Sequence, residues 1–207
     1  MPGDQRINYR RSLRLPGYDY SSPGAYFVTL VHPQSRLLFE HDQLCRIARN
    51  VWNAIPTMFP NVELNAFVVM PNHVHGIVMI GEREALAGVS NQTSAVMDER
   101  LTPAATEVVQ GGGVARSGLP DIVRYYKNTT ARRINSLRRT RGTAVWQRSY
   151  WDRILRNDRA VEVARNYIML NPLRWDSDPE NPVARPSGLS EEQQWDRWFS
   201  EQLVLPQ

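Results

Sequence analysis

Residues 68–80 read VVMPNHVHGIVMI, an apolar, strand-like run that only the Pro-Asn pair at 71–72 interrupts. Together with the preceding residues from 62 to 70, VELNAFVVM, this run predicts a β-hairpin, although Pro-Asn is not the favoured two-residue turn. Successive side chains of a strand point to opposite faces of a sheet. His73 and His75 are therefore expected on the same face, with Ile77 and Met79.

Two imidazoles side by side on a strand have two interpretations. They can bind a divalent metal through two nitrogens and leave other positions to oxygen ligands, water or substrate. They can also be two hydrogen-bonded histidines at the end of a sheet, which is the commoner case for an isolated His-x-His pattern. The chain has four histidines, and the other two, His32 and His41, have no comparable pairing.

The segments around the hairpin predict the element order β-α-β-β-α-β-α. In chain order they are a strand at 25–31, a possible extension at 36–39, a helix from Asp42, the hairpin, a helix at about 119–139, a strand at 144–155 and a helix at about 158–170. The helix at 119–139 has an inner stripe formed by Ile122, Tyr126, Thr130, Ile134 and Leu137. This order predicts an α+β fold, with a ferredoxin-like antiparallel sheet and helices packed on one face.

The remaining segments define the domain organisation. Residues 82–116 are rich in Gly, Ser, Ala, Thr and Glu without a period, and they predict a flexible loop inserted before the second helix. We expect one domain over residues 1–175, followed by an acidic C-terminal tail over 176–207.

Composition narrows the class of protein. The 207 residues are 42% hydrophobic and 22% charged, which is typical of a globular protein. No apolar run approaches the ~20 residues of a membrane span, and the N-terminal residues lack the apolar segment of a secretion signal. We therefore expect a cytoplasmic protein. The single cysteine excludes an internal disulfide and a thiolate metal cluster.

Charge is distributed unevenly along the chain. Residues 117–156 carry ten basic and two acidic side chains, whereas residues 176–207 carry seven acidic and two basic ones. A concentrated basic block indicates a polyanionic partner, most often nucleic acid, and the alternative is a solvated, arginine-rich helix face. The acidic tail could fold over this basic surface and compete with DNA for it.

A tyrosine and an asparagine near the end of the last helix are candidates for a site. Tyr167 and Asn171 are four residues apart, so a helix places them on one face. That spacing lets an amide oxygen reach a metal while a phenol lies one turn away. The alternatives are a core aromatic for Tyr167 and a helix-terminal cap before Pro172 for Asn171.

Four motifs taken together resemble a known family. They are MPNHVHGIVMI at 70–80, IVRYYKNTTARRIN at 122–135, VWQRSYWDRILRN at 145–157 and NYIMLNPLRW at 166–175. In this order they closely resemble the REP-associated tyrosine transposases, single-tyrosine transposases of the HUH superfamily, over about residues 9–180. The resemblance implies a ferredoxin-like nuclease that cuts and rejoins single-stranded DNA near hairpins with Mg²⁺ or Mn²⁺.

The resemblance also implies roles for individual residues. His73 and His75 would be metal ligands, Tyr167 the nucleophile, and Asn171 a third metal-binding side chain. Tyr125 and Tyr126 are rival nucleophiles on the basic helix. For DNA contacts, the basic block and the N-terminal arm nominate Arg10, Arg11, Arg14, Arg124, Lys127, Arg132, Arg133, Arg148 and Arg153. Trp146, Tyr150 and Trp151 are candidates for stacking on unpaired bases or, equally, for the core.

Two rival functions remain at this stage. One is a non-catalytic, domesticated nucleic-acid-binding or regulatory protein on the same scaffold. The other is a metal-dependent hydrolase of a small phosphodiester that forms no covalent protein adduct. The sequence leaves open whether the protein is a monomer or a homodimer, and whether Tyr167 acts in its own chain or in a partner.

Overall fold

The computed structural model describes residues 15–82, 117–178, 180–183, 193, 196–198, 200 and 201. The predicted flexible loop, apart from its first residue, and the predicted DNA contacts Arg10, Arg11 and Arg14 lie outside the described residues. Among the helices in these ranges, none is both long and apolar enough to cross a membrane.

Four antiparallel strands form one sheet. The strands are β1 (Gly24–Val31), β2 (Val62–Val69), β3 (His73–Ile80) and β4 (Trp151–Leu155). Their order in the sheet is β2-β3-β1-β4, and every neighbouring pair is antiparallel. The predicted hairpin is confirmed as β2 and β3, and the predicted α+β, ferredoxin-like fold class is confirmed by this sheet and its helices.

Helices pack against this sheet. They are α1 (Asp42–Asn53), the short α2 (Ile55–Met58), α3 (Leu119–Arg138) and α4 (Asp158–Leu170), which continues as a 3-10 helix over Asn171–Ser177. The start of α4 is fixed because the side-chain oxygen of Asn157 accepts a hydrogen bond from the Ala160 N–H at 2.8 Å. The predicted helices at 119–139 and 158–170 are confirmed to within a residue.

The sheet is buried on both faces. Tyr26 and Val78 belong to the core under α1 and α3, whereas Phe27 and Ile77 belong to a second core under α4. The expectation of helices on one face therefore holds for α1 and α3, but α4 packs on the opposite face. The reason is that β1 and β3 carry buried apolar residues on both sides, so helices must cover each face of the sheet.

Three local predictions are wrong, each because tertiary packing overrides composition. Residues 36–39 do not extend the sheet, since Leu38–Glu40 forms a 3-10 turn. Only residues 151–155 of the predicted strand at 144–155 join the sheet. Trp146 instead anchors a loop, because its indole N–H donates to Thr130 Oγ1 at 2.7 Å. Leu137 is 48% exposed, since Ile134 is the last buried residue of α3.

Gly76 allows α1 to approach the middle of β3. A Cβ atom placed at Gly76 would lie 2.3 Å from the ring of Trp52, closer than side chains tolerate. Trp52 is held there by stacking on Phe67, with ring centroids 4.4 Å apart. The absence of a side chain at position 76 is therefore required by the indole above it.

We expect Gly76→Ala to lower the free energy of unfolding by about 1–3 kcal/mol, because the methyl group overpacks against Trp52. Chemical denaturation measures this cost, and the same substitution in a Trp52→Leu background provides the control. The cost should be smaller in that background, where the ring is gone. An equal cost in both backgrounds would show that the indole is not the obstacle.

Candidate active site

The two histidines of β3 face each other beneath α4. Their Nε2 atoms are 3.0 Å apart, and their ring centroids are 4.5 Å apart with the planes at 69°. Both residues are 0% exposed. The expectation that residues 73, 75, 77 and 79 share a face is met, since Ile77 and Met79 belong to the core under α4.

The outer nitrogens of both rings have hydrogen-bond partners. Thr29, directly opposite His75 in the sheet, has its Oγ1 2.8 Å from His75 Nδ1. In the hairpin turn, Asn72 has its Oδ1 2.8 Å from His73 Nδ1. Such outer contacts fix ring orientation in metal sites. They leave the two Nε2 atoms pointing towards a common space.

A carboxylate that sequence analysis missed completes this cluster. Asp178 Oδ2 lies 3.9 Å from His73 Nε2, and one ligand atom from each of His73, His75 and Asp178 lies within 4.8 Å of the others. Asp178 directly follows the 3-10 helix, and its backbone N–H donates to Trp175 O at 3.1 Å. Nothing in the sequence separates Asp178 from the other acids of the predicted tail.

Burial controls the charge of all three groups. Desolvation lowers the pKa of His73 to about 3, and desolvation, assisted by His73, lowers the pKa of His75 well below 6.5. Desolvation raises the pKa of Asp178 from 3.8 to about 6, although a hydrogen bond from the Glu180 N–H opposes this shift. At neutral pH the imidazoles are therefore neutral and the carboxylate is mostly ionised. The His73–Asp178 contact is consequently not an ion pair.

This donor set fits a divalent cation. Two neutral imidazoles and a carboxylate converge in a buried space, and nitrogen and carboxylate ligands together suit several first-row metals. The buried group formed by His73, His75 and Asp178 could bind a metal. Asn171, the predicted third ligand, is 3% exposed, and its Oδ1 has no hydrogen-bond partner among the described residues.

Tyr167 lies beside the histidines. Its ring centroid is 5.3 Å from that of His75 and 5.9 Å from that of Phe27, with edge-on geometry in both pairs. Of the rival tyrosines, Tyr126 is buried against Trp52 in the core on the other sheet face. Tyr125, on α3, packs on Phe59, with ring centroids 5.6 Å apart.

Residues of the C-terminal tail cover Tyr167. The ring of Trp198 is 5.2 Å from that of Tyr167, and the guanidinium of Arg174 lies 5.8 Å from the Trp198 ring. Two residues earlier, Asp196 forms an ion pair with Arg153 of β4. The tail thus contacts one tyrosine and one arginine that the sequence nominated for DNA processing.

The other nominated basic residues are spread over several surfaces. Arg124 and Arg132 line a groove of about 1310 Å³ along the outer face of α3, together with Arg139 and Arg141. Arg133 on α3 and Arg148 in the loop before β4 are exposed. The Lys127 ammonium donates to backbone carbonyls of the loop, including Arg148 O at 3.0 Å. That contact ties the loop to α3.

The arrangement of strands and helices matches a known transposase fold. The structure of a REP-associated tyrosine transposase bound to a REP hairpin has 17% sequence identity and a TM-score of 0.50, covering 78% of this chain and 73% of that one. The chain therefore has the REP-associated tyrosine transposase-like fold. A chain from Deinococcus radiodurans R1 has 19% identity and a TM-score of only 0.40, over 75% of this chain and 95% of that one, too distant to carry an argument.

Sequence comparison defines a closer relationship. A Haemophilus influenzae protein, described as an uncharacterized protein, is 33% identical over 183 residues, or 83% of this chain and 93% of that protein. The chain belongs to the same family as this Haemophilus influenzae protein. No family model matches the chain.

We expect Asp178→Asn to weaken Mn²⁺ binding by more than tenfold, because loss of even an outer-shell partner of a metal ligand costs about 10–100-fold. Titration of free Mn²⁺ by electron paramagnetic resonance measures the affinity. Asp176→Asn, an exposed carboxylate two residues away, is the matched control and should leave the affinity unchanged. Asn171→Ala should cost less than Asp178→Asn; the reverse order would make Asn171 the third ligand.

Proposed function

We propose that this protein is a metal-dependent endonuclease and strand transferase that cuts single-stranded DNA near hairpins through a 5′-phosphotyrosine intermediate. Tyr167 is the nucleophile, and His73, His75 and Asp178 hold the cation, with Asn171 as a further ligand. Mg²⁺ or Mn²⁺ is the expected cation.

One observation carries the proposal: the Tyr167 ring lies 5.3 Å from the ring of His75, at the edge of the buried donor set. Tyr167 is also only partly buried, in the last turn of α4, which leaves part of its ring accessible beside the two neutral imidazoles. The transposase-like fold supports the same interpretation, and the protein with that fold is described as bound to a REP hairpin.

The reaction exchanges one ester bond for another. The Tyr167 phenol oxygen bonds to the scissile phosphorus and loses its proton, while the bond from phosphorus to the 3′ oxygen breaks and that oxygen takes up a proton. The DNA 5′ end remains on the tyrosine, so the link retains the energy needed for rejoining. When bound, the cation supplies a Lewis acid that polarises a non-bridging phosphate oxygen.

Nucleic acid contacts are divided between two surfaces in this proposal. Trp151 and Arg153 of β4 lie on the same sheet face as Tyr167, because they pair with Thr29 and Phe27 of β1. They are positioned to contact the strand being cut. The groove along α3, with its four arginines, lies on the other side of the sheet and suits the phosphate backbone of a hairpin stem.

We expect Tyr167→Phe to abolish the covalent protein–DNA adduct while leaving hairpin affinity within about twofold, because only the hydroxyl group is lost. The assay incubates the protein with single-stranded hairpin DNA and Mn²⁺ and detects a species that resists denaturant but not protease. Tyr125→Phe, on the opposite side of the sheet, is the matched control and should form the adduct normally.

The rival functions give different results in this assay. A non-catalytic nucleic-acid-binding protein binds the hairpin but forms no adduct in the wild-type form. A hydrolase of small phosphodiesters turns over its substrate without an adduct, and Tyr167→Phe retains that turnover. Either result contradicts the proposal.

The tail is proposed to restrain this activity, since Trp198 covers Tyr167 and Asp196 pairs with Arg153. DNA that reaches the phenol must displace both contacts. Residues 178–183 have to be kept in any truncation, because they include Asp178.

We expect Trp198→Ala, and truncation after residue 183, to raise the rate of adduct formation by roughly two- to tenfold, because an aromatic pair contributes about 0.5–1.5 kcal/mol. Arg197→Ala, an exposed neighbour, should leave the rate unchanged. Truncation should also raise DNA affinity more at low salt than at high salt, since it removes the Asp196–Arg153 ion pair. A slower rate in both variants would instead make the tail part of the catalytic site.

A further inference from the structure

The hydrogen bonds made by the Nδ1 atoms of His73 and His75 have the same length, but their partners differ chemically. Asn72 is 0% exposed, and its amide lies between His73 Nδ1 and the backbone carbonyl of Glu180. Thr29 is 1% exposed, and its hydroxyl contacts His75 Nδ1. An amide has a fixed acceptor end and a fixed donor end, whereas a hydroxyl group rotates and can either donate or accept.

The contact with Glu180 fixes the hydrogen on His73. The Glu180 carbonyl only accepts, so the Asn72 Nδ2 group faces it and Oδ1 faces His73. Because Oδ1 also only accepts, His73 Nδ1 carries the hydrogen. A neutral imidazole has one N–H, and so His73 Nε2 presents a lone pair to the site.

The position of the hydrogen on His75 follows from the 3.0 Å contact between the two Nε2 atoms. Two lone pairs at that distance repel, so His75 Nε2 must donate to His73 Nε2. His75 Nδ1 then accepts from the Thr29 hydroxyl. In this state His75 cannot bind a cation through Nε2, because that nitrogen carries its hydrogen.

We infer that Asn72 and Thr29 are positioning residues with complementary roles. Asn72 holds His73 in the Nδ1–H tautomer, whose Nε2 lone pair can always bind a cation. Thr29 allows His75 to change to the same tautomer when a cation binds. The His75 hydrogen moves from Nε2 to Nδ1 as the cation enters, and the Thr29 hydroxyl rotates from donor to acceptor. The inference rests on the cation site of the proposed function, but it does not depend on DNA cleavage.

Asn72 also links His73 to the third ligand. The Glu180 carbonyl is two residues beyond Asp178, and the Glu180 N–H donates to Asp178 Oδ1 at 2.8 Å. A single buried amide thus orients one imidazole and holds the turn that carries the carboxylate. Loss of this amide should disturb two ligands at once.

The tautomers are tested by ¹⁵N nuclear magnetic resonance of histidine-labelled, full-length protein without DNA, with Zn²⁺ as a diamagnetic probe. Without metal, we expect His73 as the Nδ1–H tautomer and His75 as the Nε2–H tautomer. With Zn²⁺, both should be Nδ1–H. If His75 is already Nδ1–H without metal, or still carries its hydrogen on Nε2 with Zn²⁺ bound, the inference is overturned.

Zn²⁺ affinity, measured by calorimetry, tests the two residues separately. Thr29→Val removes the hydroxyl at nearly constant shape and should weaken binding about 10–100-fold, whereas Thr29→Ser keeps a hydroxyl and should stay close to wild type. Asn72→Ala should weaken binding by a similar factor and cost less in an Asp178→Asn background. Asn65→Ala, on β2, is the matched control for loss of an amide and should leave the affinity unchanged.

The outcomes separate this inference from the proposed function. A protein with the expected tautomers and affinities that forms no DNA adduct contradicts only the nuclease proposal. A protein that forms the adduct while Thr29→Val binds Zn²⁺ like wild type contradicts only the roles assigned here. Full additivity of Asn72→Ala and Asp178→Asn would exclude the link between Asn72 and the third ligand.

Discussion

Burial of two imidazoles on one face of β3 is the constraint on which the site depends. A neutral imidazole removed from water must have both nitrogens satisfied, or it costs the free energy of an unmade hydrogen bond. Thr29 and Asn72 satisfy the outer nitrogens, and the two inner nitrogens satisfy each other. The inner contact is the one that a cation can replace, since both partners direct nitrogens into the same space.

The two faces of the sheet carry different groups of side chains. The face under α1 and α3 holds the larger core, including the stacked rings of Trp52 and Phe67. The face under α4 holds the imidazoles, Asp178 and the tyrosine. The arginine groove on α3 is consequently separated from the donor set by a layer of sheet and helix. Repulsion between these arginines and a bound dication is weakened by that separation, and by salt beyond about 8–10 Å.

Periodicity was sufficient to predict the elements whose burial is regular. Alternation in β3 placed His73 and His75 on one face, and the four-residue spacing placed Tyr167 and Asn171 on one face of the last helix. Only the resemblance implied that this face lies beside the imidazoles. Periodicity failed where a side chain is fixed by one distant partner. Trp146 has a strand-like neighbourhood in sequence, but its indole N–H is fixed by Thr130 of α3. Asp178 lies among other acids, and only the turn after the 3-10 helix brings it to the imidazoles.

The identity of the third ligand decides the charge of the site. With Asn171 alone beside two neutral imidazoles, a bound dication would keep its full double charge. With the Asp178 carboxylate, the site with a dication has one net positive charge, equal and opposite to that of a single phosphodiester group. In a buried space that balance matters, because uncompensated charge is far more costly there than in water. Under the proposed function, the carboxylate therefore favours a substrate with one negative charge at the reacting centre, and an internal phosphodiester of a DNA strand meets that condition.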